Sequence, residues 1–218
     1  MIIAIDGPAG AGKSTIARLC AKELGFIYLD TGAIYRALTL KALQKNIDFR
    51  DEAALIQMSK DTQLTVSNNQ DGSVRVILDG RNVSEAIRQP RVTQYVSDLA
   101  KIKAVREQML TLQRDIGSSH DSVVDGRDIG TVVFPNADRK FYLDAQFTER
   151  TKRRFKELKQ AGREITLAEV ETDLKNRDRI DSMRKYAPLR KADDAIYIDT
   201  TAMTIREVVE AVLKAING

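Results

Sequence analysis

Short apolar runs separated by longer amphipathic stretches set the rhythm of this chain. Residues 2–5, 26–29, 122–124, 140–143 and 195–198 read as strands, and the segments between them carry helical periodicity. Such alternation predicts a parallel sheet covered by helices. Thr166-Leu167-Ala168-Glu169 and Thr204-Ile205-Arg206-Glu207 each place a hydroxyl three residues ahead of a glutamate, the capping-box signature of a helix start. One stretch breaks the rhythm. Residues 64–83 alternate with period two and hold turn signals at Asn68-Asn69-Gln70-Asp71-Gly72 and Asp79-Gly80, which predicts a small antiparallel meander inserted into the α/β body. No internal repeat, low-complexity tract or Pro/Gly/Ser-rich linker divides the chain.

At 218 residues the chain is long enough for one substantial core with a small appended subdomain. No apolar run approaches the roughly 18 residues that span a bilayer, and the N-terminus lacks a basic-then-apolar leader. A soluble cytoplasmic protein is therefore expected. The single cysteine, Cys20, falls within the first helical pattern, where a buried structural thiol is expected rather than a reactive one. His120 is also alone, beside Ser118 and Ser119, which excludes a histidine-based triad and a histidine-rich metal site. A net charge of +4 is too small to argue for nucleic acid, but it suits a small, highly anionic substrate.

Candidate chemistry begins directly after the first strand. GPAGAGKS, from Gly7 to Ser14, matches G-x-x-x-x-G-K-[ST] between a strand and a helix-forming stretch, the setting that motif requires. Glycines let successive N–H groups turn inward around phosphate oxygens, and the following helix aims its positive end at them. Gly7, Pro8, Ala9, Gly10, Ala11, Gly12, Lys13, Ser14 and Thr15 are the expected phosphate-binding residues. Lys13 has the reach to meet the β- and γ-phosphates, and the Ser14 hydroxyl can face Mg²⁺, directly or through water.

Three further clusters fall where strands give way to charge. Asp30-Thr31-Gly32-Ala33-Ile34-Tyr35-Arg36 puts Thr31 and Arg36 at the rim where ligands bind in such sheets, so Arg36 can clamp a second phosphate, or it can be an ordinary surface residue of its helix. Val123-Val124-Asp125-Gly126-Arg127-Asp128 brings Arg127 and Asp128 to the same rim. Asp125 resembles the acid that orients Mg²⁺ or its waters, the alternative being a plain Asp-Gly turn. Arg177, Asp181 and Arg184 share one helix face by spacing, as solvated ion pairs or as part of a site for two polyphosphates. Ahead of them, Arg150, Lys152, Arg153, Arg154, Lys156, Lys159 and Arg163 predict a basic helical hairpin closing over phosphates. Two or three of the seven are expected to reach ligand, and Gly162 is a helix stop or hinge.

GPAGAGKS, LDTGAIYR, VVDGRDIGTVVFP and RDRIDSMR before Ala187-Pro188-Leu189, in that order and separation, resemble the bacterial cytidylate kinase family of nucleoside monophosphate kinases. The likeness runs over residues 1–210. It implies a three-layer P-loop α/β fold with a five-stranded parallel core, a short helical lid and a monophosphate-binding region that carries a small β insertion. Core segments would be 1–34, 104–148 and 186–218, with 35–103 the monophosphate region, including the insertion at 64–83, and 149–185 the lid and adjoining helices. The implied reaction is phosphorylation of CMP and dCMP by ATP with Mg²⁺. Lys13, Arg127, Arg177 and Arg184 would be catalytic, and Asp125 would stand behind the metal. Thr31, Tyr35, Arg36 and Arg127 would frame the monophosphate. Ser97, Arg106 and Asp128 would meet the cytosine ring, and Arg177 and Asp181 the ribose, with Arg184 at the same site. A monomer is expected, with no nucleic-acid, membrane or obligate protein partner.

Two other classes share the opening motif. A GTPase would need an N-K-x-D segment and a D-x-x-G element, and neither is found. A kinase acting on an alcohol would need a carboxylate base, a role open to Asp30 or Asp128. A nucleic-acid-binding ATPase lacks the aromatic stacking series it would need.

Overall fold

The computed structural model describes residues 1–69 and 71–217, so Gln70 of the expected turn lies outside the described residues. Five parallel strands form the main sheet: β1 (Ile2–Asp6), β2 (Ile27–Asp30), β6 (Ser122–Asp125), β7 (Arg139–Asp144) and β8 (Ile196–Asp199), in the order β2-β6-β1-β7-β8. Nearly every position of β1 and β6 is buried. Both sheet faces must therefore be covered, the situation in which strands read as continuous apolar runs. Helix α1 (Lys13–Leu24) packs on the sheet with α8 (Ile205–Asn217), and α5 (Lys103–Ser118) packs on β6 and β2. Both capping boxes form, at Thr166 with Glu169 and at Thr204 with Glu207.

The sequence reading stops each parallel strand at its last apolar residue, whereas the structure carries each one residue further, to Asp6, Asp30, Asp125, Asp144 and Asp199. Aspartate is disfavoured in strands, so propensity argues for the earlier stop. The ladder overrides it: Ile5 pairs with Asp125 and Asp30 with Asp125 in continuous register. A row of carboxylates thereby stands along the carboxyl edge of the sheet, where α/β folds place their ligands.

The meander forms as β3 (Leu64–Asn68), β4 (Val74–Leu78) and β5 (Arg81–Asn82), all antiparallel. It also finishes the edge of the main sheet. The Asn68 amide donates to the Tyr28 carbonyl at 2.8 Å, and its oxygen accepts from the Tyr28 N–H at 2.9 Å, replacing the strand that β2 lacks on that side. Asn68→Ala is expected to leave both groups to water and lower unfolding free energy by about 1 kcal/mol. Urea unfolding checks this as a lower midpoint at unchanged m-value.

Between β5 and β6 run a 3-10 turn (Ala86–Arg88), α4 (Pro90–Ala100) and α5. Before the meander come α2 (Thr31–Gln44) and α3 (Glu52–Lys60), so the boundary drawn at 34/35 falls inside one continuous helix. Helices α6 (Phe147–Gln160) and α7 (Leu167–Met183) pack together as a helical hairpin. Gly162, at φ +72, follows the end of α6 and stops that helix, with Arg163 N–H returning to the Leu158 carbonyl. A separate small core of Ala9, Val170 and Leu174, backed by Phe147, Phe155 and Leu158, seats the hairpin on the loop after β1. Cys20 is buried, and burial pushes its thiol up to about 12, which makes it an inert packing group.

Candidate active site

The carboxyl ends of β1, β2 and β6 open onto a cleft of about 690 Å³. On one wall lies the loop 7–12. Gly12, at φ +85, ends the loop and starts α1 at Lys13. Gly7 is required by close approach, because a Cβ there would lie 2.0 Å from the Leu143 carbonyl oxygen. No side chain caps α1, so its first amides remain open to an anion.

Gly10, Gly12, Lys13, Ser14 and Thr15 line the cleft. Gly7, Pro8 and Ala11 are not among the residues that line it. Ala9 lines the cleft as well, although its N–H donates to Asp178 Oδ1 of α7 at 3.1 Å. Lys13 is buried and donates to the Pro8 carbonyl at 2.7 Å. Burial, then the positive charge of Arg127, pushes its ammonium down to about 7. A polyanion in the loop would reverse that shift by pairing with it.

Behind Lys13, Asp125 accepts from the Ser14 hydroxyl at 2.9 Å and from the Tyr28 hydroxyl at 2.8 Å. Burial, then Asp30, raises its carboxyl to about 6. Among the described residues, no group of three or more His, Cys, Asp or Glu side chains is close enough to hold a metal. The oxygen pair of Ser14 and Asp125 nonetheless suits Mg²⁺, which keeps its waters and takes only one or two protein ligands beside substrate phosphates.

The opposite wall is built by α2, α4, α5 and the segment after β6. Asp30 caps α2 by accepting from Ala33 N–H at 2.9 Å and holds Arg36 at 2.7 Å. Thr31 donates to the Asp125 carbonyl, and the Tyr35 hydroxyl accepts from Gln113. Ser97 is buried on α4 and faces the cleft, so its helical surroundings and its place in the cleft are compatible. Arg106 and Arg184 both reach Asp128, the second at 3.3 Å. All three are buried.

Arg127 donates to Asp181 at 2.9 Å. Burial alone would raise the Asp181 carboxyl, but Arg127, Arg184 and Arg177 hold it below its ordinary value. Arg177 is pushed down to about 10 by burial and then by Arg127. Arg184 is not on the helix face with Arg177 and Asp181. It is the residue after α7, in extended geometry at ψ 139, where its Nε donates to the Ala187 carbonyl. The chain turns there because Leu189 N–H returns to the Asp181 carbonyl, which the i, i+4, i+7 spacing alone could not reveal.

Of the seven basic residues ahead of α7, Arg154 and Arg163 line the cleft. Arg150 is a structural tie: it binds the Ala9 and Ala145 carbonyls and Asp178, fastening α6 and α7 to the loop. Arg153 holds the Thr200 carbonyl at 2.6 Å. Sequence reasoning passed over Arg88, Thr93 and Tyr28, which also line the cleft, and Asp6, which is buried beneath it. Asp6 carried a signal in its position, directly before the glycine-rich loop.

Arg36, Arg106, Arg154 and Arg177 each leave a buried Nε–H without a hydrogen-bond partner, and all four line this one cleft. Buried donors are seldom left unpaired, so a set of four converging guanidinium groups marks a space shaped for anionic oxygens.

The sequence model of the cytidylate kinase family matches residues 3–218. A cytidylate kinase of Alkaliphilus oremlandii is 50% identical over 216 residues, covering 99% of this chain and 97% of that protein. One from Clostridioides difficile is 49% identical over 217 residues, covering 100% and 98%. Among solved structures, an uncharacterized protein from Eubacterium ventriosum superposes with a TM-score of 0.53 at 13% identity over 100% of this chain and 99% of that one, a likeness of fold alone.

Proposed function

The chain belongs to the cytidylate kinase family and is a phosphotransferase, and we propose that it moves the terminal phosphoryl group of ATP onto CMP and dCMP, giving ADP and the diphosphates. The observation that carries this proposal is the single cleft shared by the glycine-rich loop and four arginines with unpaired buried Nε–H groups. Two phosphorylated substrates need two sets of cationic donors facing each other, and that cleft supplies them.

The acceptor phosphate of CMP has a second pKa of about 6, so at pH 7 it is mostly dianionic and needs no general base. Both carboxylates that could serve an alcohol acceptor are already engaged: Asp30 by Arg36 and Ala33, Asp128 by Arg106 and Arg184. This favours a phosphate acceptor over an alcohol. Catalysis then consists of bringing two anions in line and neutralising charge that spreads over the transferred group. Lys13 and the amides of α1 hold the donor, and Arg36 and Arg127 hold the acceptor phosphate. Arg177 and Arg184 bridge toward the transferred group, Asp181 holds the ribose, and Ser97, Arg106 and Asp128 read the base. Ser14 and Asp125 would hold Mg²⁺, which when bound neutralises the donor's β- and γ-oxygens. Closure of the α6–α7 hairpin excludes water.

No helix among the described residues is long and apolar enough to cross a membrane. We place the enzyme in the cytoplasm, since the lone cysteine, a buried thiol, suits a reducing compartment, and expect it to act as a monomer.

ADP release measured with CMP, dCMP, UMP, AMP and small polyhydroxy alcohols under saturating Mg·ATP tests the assignment. CMP and dCMP should lead, and preference for an alcohol would overturn it. Arg36→Ala should raise KM for CMP about tenfold or more while KM for ATP stays within a few fold, because a charged hydrogen bond of about 1.5–3 kcal/mol is lost only on the acceptor side. Equal losses for both substrates would remove Arg36 from that role.

A further inference from the structure

Resting on the assignment of Asp128 as base reader, we infer that Asp6 is a positioning residue for acceptor recognition, capping from a neighbouring strand the turn that Asp128 would otherwise cap itself. The turn in question is the π-helical Ile129–Val133, which follows Asp128 directly. The first amides of any helical turn need acceptors, and an aspartate in the preceding position commonly supplies one from its own side chain. Asp128 does not. Its side chain makes no capping bond and points instead to Arg106 and Arg184, while only its carbonyl serves the turn, accepting from Val132 and Val133.

The missing acceptors come from Asp6. One carboxylate oxygen accepts from Ile129 N–H at 2.8 Å and the other from Gly130 N–H at 2.7 Å. Asp6 is only 3% exposed. Burying a carboxylate without a salt-bridge partner is costly, and the two amide bonds offset part of that cost while burial still pushes the carboxyl up to about 7. A Cβ at Gly130 would crowd Lys140 Cδ at 3.1 Å but meet the Asp6 oxygen at an ordinary 3.5 Å.

The arrangement divides the labour between two carboxylates. With the turn capped by Asp6, Asp128 is free to stand between two arginines at the cleft. Asp6 also precedes Gly7, so the strand that carries the donor loop fixes the segment that carries Arg127 and Asp128. Without its bidentate acceptor, the Asp128 side chain would be drawn back to its own turn and away from Arg106.

Asp6→Asn tests this. The amide keeps the shape but offers one acceptor and sets a donor against the second peptide N–H. KM for CMP should rise about tenfold or more, KM for ATP should stay within about threefold, and the CMP-to-UMP ratio of kcat/KM should fall. A merely structural role would lower thermal stability without moving that ratio or separating the two KM values. An unchanged ratio, or equal rises in both KM values, would overturn the inference and leave the kinase assignment standing. A wild-type enzyme that does not favour CMP would remove the assignment itself, and the inference with it. Should Asp6→Asn fail to fold, Asp6→Ala, which withdraws both acceptors without opposing a peptide N–H, carries the same comparison. Failure of both to fold would make the contact structural and overturn the proposal.

Discussion

Lys13→Ala is expected to lower kcat by a hundredfold to a thousandfold while the protein stays folded. Lys13 is buried in the wall of the cleft, and its ammonium is destabilised there by burial and by Arg127. Removing it therefore relieves a charge that the fold carries at a cost, against the loss of one hydrogen bond to the Pro8 carbonyl and of its attraction to Asp125 and Asp6. In the transition state the balance is opposite. Charge grows between the β- and γ-phosphates, in a site where a preorganised cation is worth about 2.7–4 kcal/mol. Circular dichroism and thermal unfolding should match the wild type, and single-turnover kinetics should show the loss in the chemical step. A fall of less than about tenfold in a natively folded variant would mean that the loop does not hold the donor phosphates.

Strand positions were legible because five apolar runs lie at separations suited to helical crossovers, and each appears in the sheet within one residue. What the runs could not show was their last residue. A terminal aspartate has poor strand propensity, and its ladder bonds depend on neighbours far away in sequence, as with Ile5 and Asp125. The same limit hid the role of Asp6, whose partners Ile129 and Gly130 are more than 120 positions away. The cleft residues were accessible to motif reasoning because Lys13, Ser14, Arg36, Arg127 and Asp128 each follow a strand closely. Arg150 could not be told from its neighbours for the opposite reason: a charge run on an amphipathic helix says nothing of which member turns inward, and this one ties the helix to the Ala9 and Ala145 carbonyls. Arg88 and Thr93 were missed because the chain between the meander and α5 carries no motif, and only folding brings them to the cleft.

Asp128→Asn should change both stability and selectivity, and the two effects separate its possible roles. In the free enzyme Asp128 stands between Arg106 and Arg184, all three buried. Removing one partner of a buried charged cluster costs about 3–5 kcal/mol, so urea unfolding without ligand should shift to a markedly lower midpoint. The second effect concerns the acceptor base. Cytosine presents an exocyclic amine where uracil presents a carbonyl, so a carboxylate acceptor favours the first and repels the second. The asparagine amide adds a donor that can face uracil. The CMP-to-UMP ratio of kcat/KM should therefore fall at least about tenfold, corresponding to about 1.4 kcal/mol of discrimination. Measuring both acceptors on one folded preparation cancels the loss of stability from the ratio. If CMP and UMP activities fall in parallel, Asp128 acts only by holding Arg106 and Arg184 in place, and discrimination between the bases must rest on Ser97 and Arg106.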